Sequence, residues 1–305
     1  MKTLRTIAYA MLAVTLTACS SDDNGTPAPK YINIDAQLSP VTKTTVAADG
    51  TMSFTSGDAI SVYAWTGSAT AAPTSASDFV VAGSTNTYDG SKWTASPQML
   101  WKNLTTPHFF LAVYPIRDIL TDKSFTLDVN NQDKCDIMSA TNFGTNNAGI
   151  VATETAIPLV FNHLMAKLQV NLQFRNQWGE AGPTSVSTSV NTHTTAEIDF
   201  FTNEINATGA KSDITLPSVA TTVEGYAKSY ETILIPVADL KTITISIDGH
   251  DYTYTHDNNI QFQSGKTTIV NLVVGRNEIT LGNLSIKGWE DYVIIGEDDP
   301  IEVTD

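Results

Sequence analysis

Positive charge is the first thing this 305-residue sequence is short of. Seventeen Lys and Arg stand against 32 Asp and Glu, a formal charge of −15 at pH 7. So acidic a surface repels nucleic acid and anionic membrane, which excludes both as partners. Cysteine is scarce, with Cys19 and Cys135 alone. If Cys19 is used elsewhere, no intrachain disulfide remains, and stability has to come from packing and β-ladders. Helical periodicity is missing as well. No stretch of eleven or more residues keeps its apolar positions at a 3.6 spacing. The nearest approach, around residues 163–168, is short and reads better as strand.

Signatures of catalysis are absent from the sequence. There is no G-x-S-x-G, no P-loop and no G-x-G-x-x-G. His108, His163, His193, His250 and His256 are scattered, with no H-E-x-x-H among them. The run DVNNQD (residues 128–133) is similar to the start of a calcium loop, without the glycine and closing glutamate that such a loop needs. Paired acids such as Asp298 and Asp299 fall in a tail, and no two carboxylates stand out as a glycosidase pair across a cleft. Neither a cofactor nor a metal is called for.

What is present begins at the amino terminus. Lys2 and Arg5 precede an apolar run, residues 7–16, too short to span a bilayer as a helix. Leu16-Thr17-Ala18-Cys19 then matches the lipobox of bacterial lipoproteins. The match predicts a signal peptide over residues 1–18 and a diacylglycerol on the Cys19 thiol, completed by fatty acyl chains such as palmitate. Each buried acyl methylene contributes about 0.8 kcal/mol, so two or three chains hold a protein firmly in the outer membrane. The alternative is an ordinary secretory signal with a chance cysteine. Residues 19–30 are rich in Ser, Asp, Pro and Thr and read as a lipidated flexible tether. Asp22 and Asp23 resemble the surface-export signal of Bacteroidetes lipoproteins, against the alternative of a solvated linker facing the periplasm. Cleavage removes Lys2 and Arg5. The mature chain then has 287 residues, with 15 basic and 32 acidic side chains and a formal charge of −17.

Period-two alternation dominates the rest. In residues 167–174, Leu168, Val170, Leu172 and Phe174 point one way and Gln169, Asn171 and Gln173 the other. Ile243, Ile245 and Ile247 repeat the pattern, and Asp248-Gly249 is a hairpin signal before Tyr252 and Tyr254. Further strands are expected at residues 31–36, 59–65, 109–114, 124–129, 157–161, 232–237 and 267–274. Turn-rich spacers between many short strands predict an all-β chain of antiparallel sandwiches, each sheet with a dry and a wet face. The loose segment 142–155 suggests a boundary near residue 160, giving an N-terminal sandwich over 31–160 and a C-terminal one over 161–305. Residues 184–195, mostly Ser and Thr, read as a long loop. Cys135 reads as a packing residue.

Several stretches carry a resemblance when taken in order. FTSGDAISVYAW (54–65), HFFLAVYP (108–115), IPLVFNHLMAKLQVNL (157–172) and FQSGKTTIVNLVVG (262–275) with LSIKGWED (284–291) resemble motifs of the fimbrillin family of Bacteroidales lipoprotein precursors. The resemblance covers nearly the whole mature chain. It implies two transthyretin-like β-sandwich domains in tandem and a non-enzymatic pilus (fimbrial) subunit or surface adhesin. Its partners would be other fimbrial subunits, joined head-to-tail by strand complementation, and ligands on host or bacterial surfaces. In that scheme a protease cuts after the first strand, here the one carrying Ile32 and Ile34. Many relatives have arginine at the cut, whereas this chain has Lys43 in SPVTKTT and no arginine between Arg5 and Arg117. That departure implies a protease accepting lysine, or an anchor subunit that keeps its first strand and lipid. Equally, Lys43 is a solvated residue after a strand. Two stretches are candidate donor strands: residues 267–274, with Ile269, Asn271, Leu272 and Val274, and residues 278–284. The acidic end, GEDDPIEVTD, reads as a tail or a short edge strand.

Five tryptophans, 65, 93, 101, 178 and 289, keep a second function open: a glycan-binding outer-membrane lipoprotein that stacks sugars on exposed rings. On that reading Trp178, in a polar stretch, is the most exposed. A hydrolase is a third.

Overall fold

The computed structural model describes residues 31–39, 53–180, 182–276 and 278–289. The signal peptide, Cys19 and its tether, Lys43 and the acidic tail lie outside the described residues.

Alternation becomes strand nearly everywhere. The first half supplies β1 (Ile34–Leu38), β2 (Ala59–Thr66), β3 (Val81–Tyr88), β4 (Trp93–Ser96), β5 (His108–Tyr114), β6 (Ser124–Thr126), β7 (Met138–Asn142) and β8 (Ile157–His163). A four-residue helix, α1 (Gln132–Cys135), precedes β7. The second half supplies β9 (Ala166–Phe174), β10 (Val186–Asp199), β11 (Glu204–Thr215), β12 (Ser218–Val219), β13 (Lys228–Leu234), β14 (Leu240–Ile247), β15 (His250–Ile260), β16 (Lys266–Val274) and β17 (Ile279–Gly288). The protein is all-β, built of packed sheets.

Seven strands form one sheet in the order β1-β8-β7-β5-β2-β3-β4. β1 joins β8 in parallel, and the other pairs are antiparallel. The two ends of this sheet meet. Tyr31 bridges Leu100, the Ile32 N–H donates to the Met99 carbonyl at 3.0 Å, and Trp93 Nε1–H donates to the Ala36 carbonyl at 3.3 Å. The sheet therefore curls around its own core, in which Ile32, Ile34, Ile60, Val62, Phe110, Leu159 and Phe161 are buried. Phe54 sits among them with edge contacts to Trp93, Tyr114 and Phe161 at 5.0–5.7 Å.

Two further sheets face each other, β11-β10-β14-β15 (with β6 added through β10) and β12-β13-β9-β16-β17. Leu168, Val170 and Leu172 point from one into their shared core, and Ile243, Ile245 and Ile247 from the other. The hairpin at Asp248-Gly249 has φ of 50° and 84°, the left-handed pair that a two-residue type I′ turn needs.

Two expectations are corrected. The dry-face, wet-face rule fails at β2 and β5, whose interior residues are buried on both faces. Tyr63, Trp65, Phe109 and Leu111 turn away from the curled core and join the apolar cluster of the second pair of sheets. Residues 184–195 are not a loop. They open β10, at 14 residues the longest strand described. Its first half pairs β14, and its second half pairs β6. The turn beyond it carries Phe201 to 5.9 Å from Trp65. The sequence hid this strand because Thr188 and Thr192 take core positions that an alternation count reserves for apolar residues; both are fully buried.

Candidate functional site

In a chain without catalytic motifs, the chemistry that matters is at strand edges and at the junction between sheets. β1 is an edge strand. One ladder holds it on the β8 side, Ile34 to Leu38 running parallel to Ile157 to Phe161, and hydrogen bonds at its two ends continue it (Ile157 N–H to Asn33 O, Ser39 N–H to Phe161 O, both 2.8 Å). Its other side makes no ladder but the isolated Tyr31–Leu100 bridge and the bonds of Ile32 to Met99 and of Trp93 to Ala36. Ile32, Ile34 and Ala36 fill the curled core, while Asn33, Asp35 and Gln37 face solvent. Burying each isoleucine contributes about 1.5–3 kcal/mol, so this strand is a plug for an apolar slot as much as a member of a ladder. The pattern residue in, residue out is what a strand needs if its register is to be set by pockets.

At the other end of the chain the two donor candidates differ. β16 lies between β9, parallel to it, and β17. Leu272 and Val274 are buried, Ile269 and Asn271 are half-buried, and Asn271 accepts a hydrogen bond from Asn171 Nδ2 at 2.7 Å. As folded, β16 has no free edge. β17 is the outer strand, and its apolar Ile279, Leu281 and Leu284 are only partly covered.

The end of β17 is fastened where the sheets meet. The Trp289 N–H donates to the Gly265 carbonyl at 3.0 Å, and its indole, 5% exposed, stacks on His163 at 4.5 Å and 11°. His163 Nδ1 lies 2.6 Å from Asp136 Oδ1, Lys167 Nζ lies 4.9 Å from the Trp289 ring centre, and Lys167 pairs with Glu231 at 3.2 Å. Gln132 of α1 reaches the same place, accepting the Ile233 N–H at the edge of β13 beyond the reach of β12. A cleft of about 570 Å³ opens here, lined by Leu38, Phe54, Tyr114, Asp133, Asp136 and Trp289 among others. Its field is negative. Burial, and then the Asp58 carboxylate that the Tyr114 hydroxyl faces, push that hydroxyl up to about 12. Among the described residues no group of three or more His, Cys, Asp or Glu is placed to hold a metal.

Residues 42–289 match the model of a fimbrillin-like family. The chain belongs to the fimbrillin-like family. Solved structures share the fold of this fimbrillin-like chain. A protein of Bacteroides uniformis described as a cell adhesion protein superposes with a TM-score of 0.62 at 18% identity, over 85% of this chain and 98% of its own. A second so described, from Bacteroides ovatus, gives 0.66 at 17%, over 86% and 98%. A fimbrial protein from Bacteroides vulgatus gives 0.51 at 15%, over 85% and 99%. No curated protein matches the sequence.

Within this fimbrillin-like chain the tryptophans are not laid out for stacking a ligand. Trp65, Trp101 and Trp289 are buried. Trp178, expected on an exposed loop, donates Nε1–H to the Val274 carbonyl at 3.1 Å and lies under Arg276, with Tyr252 at its edge. Cys135 is buried, and burial pushes its thiol up, away from a nucleophile's range. His163 and Lys167 stand at the junction of the sheets. Their partners Asp136 and Glu231 carried no local signal, because the contacts join positions 27 and 64 residues apart, and Gln132 lies 101 residues from Ile233.

Proposed function

We propose that this fimbrillin-like chain is a non-enzymatic fimbrial subunit or surface adhesin, exported as an outer-membrane lipoprotein, that joins its neighbours head-to-tail by strand complementation. The observation that carries the reading is the seat of β1: an edge strand on a single parallel ladder whose alternate side chains plug an apolar slot, followed in sequence by Lys43. Cutting after Lys43 frees β1 to leave. The slot then offers the unpaired edge of β8 and the space of Ile32, Ile34 and Ala36 to a strand from the next copy. A contact of that kind joins two different surfaces, does not close, and grows a filament. Of the two donor candidates, the flanked β16 with Ile269, Asn271, Leu272 and Val274 gives way to the outer ribbon β17. Lys43 in place of arginine fits a protease that accepts lysine. The names of the structural relatives, a fimbrial protein among them, support the same reading.

We further divide the chain into two transthyretin-like units near residue 160. In support, the first sheet draws its strands from residues 34–163, and the other two draw theirs from 166–288 with only β6 from the first half.

The test is limited proteolysis. Low-dose trypsin on the purified mature chain should cut after Lys43 and yield a ladder of oligomers on a gel, and Lys43→Gln should give neither. A clean cut that leaves only monomer would defeat strand complementation. Binding on a glycan array without any ladder would turn the assignment to the glycan-binding alternative.

A further inference from the structure

Four of the large apolar side chains left exposed lie at one end of the curled sheet: Tyr31 (53%), Leu100 (41%), Leu104 (41%) and Val151 (49%). Hydrogen bonds tie their segments together. Tyr31 bridges Leu100; the Lys102 N–H donates to His108 Nε2 at 3.1 Å; His108 in turn bridges Ile150. The Leu104 loop is held out stiffly, because Asn103 Oδ1 accepts the N–H groups of Thr105 and Thr106 at 3.0 and 2.7 Å. β1 and β5 run from this end to the junction cleft, so the apolar end and the cleft are at opposite poles of the sheet.

Two features say what covers this end. The first is charge. Residues 99–107 and 142–158, which build it, contain one lysine (Lys102) and one glutamate (Glu154) in a chain that is otherwise strongly acidic. The second is where the chain enters. Tyr31 is the first described residue, and it stands twelve positions after Cys19. A coil of that length has a root-mean-square reach on the order of 20 Å, so an anchored Cys19 holds this end within a protein radius of the lipid.

We propose that this end docks on the bilayer surface, with Tyr31, Leu100, Leu104 and Val151 seated among the headgroups and the acidic remainder of the molecule turned outward. The inference rests on the lipid-anchor part of the proposed function and concerns the chain before any cut after Lys43. Anionic headgroups repel an acidic body at short range, so a near-neutral end is the one that can approach. Because the tether makes the encounter intramolecular, at an effective concentration of roughly millimolar, a patch too weak to bind membrane from solution suffices. A tyrosine at the rim suits the interface, where one end of its ring is apolar and the other wet.

The test uses the full lipidated chain in uncharged phosphatidylethanolamine–phosphatidylcholine vesicles that contain a nitroxide-labelled lipid. A fluorophore is placed at Leu104→Cys in one sample and at Asp251→Cys, in the far sandwich, in another; Cys135 is buried and Cys19 acylated. Quenching several-fold stronger at 104 than at 251 is expected. A Leu100→Glu/Val151→Glu double variant labelled at 104 should still float with the vesicles and lose that difference. Equal quenching at the two positions in a chain that floats would overturn the docking and leave the anchor standing. Cross-linking between 104 positions of two copies without lipid quenching would give the face to a second copy instead. A chain that fails to float sinks the anchor reading and this inference with it.

Discussion

A single side chain, Trp289, ties the last described strand to the junction of the sheets. Its indole is buried, stacked on His163 and approached by Lys167. Truncating a buried tryptophan costs about 3–5 kcal/mol. At roughly 2–4 °C per kcal/mol for a unit of this size, Trp289→Ala should lower the melting temperature by roughly 6–20 °C in calorimetry. Trp289→Phe, which keeps a ring in the stack, should lose much less. Tyr114 makes a prediction in pH. Its neutral phenol is favoured in the fold, where burial and Asp58 push it from an ordinary 10.0 up to about 12. The folded value lies above the unfolded one, so the stabilisation is complete below pH 10 and disappears as pH rises through about 12. Burial raises Tyr63, Tyr226, Tyr230 and Tyr254 too, so the whole chain should lose stability as pH climbs above the ordinary tyrosine value. Denaturant titrations from below the ordinary tyrosine value of 10.0 up to about 12 should show a shallower loss for Tyr114→Phe than for the parent.

At the scale of the element, β1 and β10 show opposite ways in which a sequence announces its strands. Ile32, Ile34 and Ala36 alternate with Asn33, Asp35 and Gln37, and the strand was legible from that alone. The same holds for β9, β14 and β16. β10 was not legible, since its core row mixes Thr188, Val190, Thr192, Ala196 and Ile198, and a count of apolar residues sees a gap where β-branched threonines pack. The Oγ1 atoms of Thr188 and Thr192 are buried without a hydrogen-bond partner. Valine has the same shape and no hydroxyl to strand. Thr188→Val and Thr192→Val should therefore each leave stability unchanged or raise it by up to about 1 kcal/mol, read as a shift of the urea midpoint. A drop of that size would mean that the hydroxyls have partners in solution. For β1 the converse holds. Ile34→Asp puts a charge into the slot, and the strand should detach far more readily, seen as faster trypsin cleavage at Lys43 with the rest of the chain still resistant. What no pattern in the sequence reveals is the junction. Asp136, His163, Lys167, Glu231 and Trp289 meet only after two of the sheets have formed, and Asp136 and Glu231 each read alone as an ordinary surface residue.

Without residues 1–18 the chain would carry a formal charge of −17, so in the proposed end-to-end assembly each step would bring two strongly acidic bodies together. Main-chain ladders and apolar pockets supply the attraction within the slot, and they depend little on salt. The repulsion between the bodies is long-ranged and is screened over a Debye length of about 30 Å at 0.01 M ionic strength and about 8 Å at 0.15 M. If β1 is exchanged for a strand of the next copy, the rate at which trypsin-cut chains form ladders should therefore rise with salt over that range, by an order of magnitude or more, while the stability of ladders already formed should hardly change. An assembly joined instead by complementary charged patches would behave the other way, slowing and loosening as salt is added. Following ladder growth by light scattering across a salt series, and then bringing the finished ladders to high salt, separates the two: slower growth at high salt, or finished ladders that come apart at high salt, would place the joint on the charged surface and not in the apolar slot of β1.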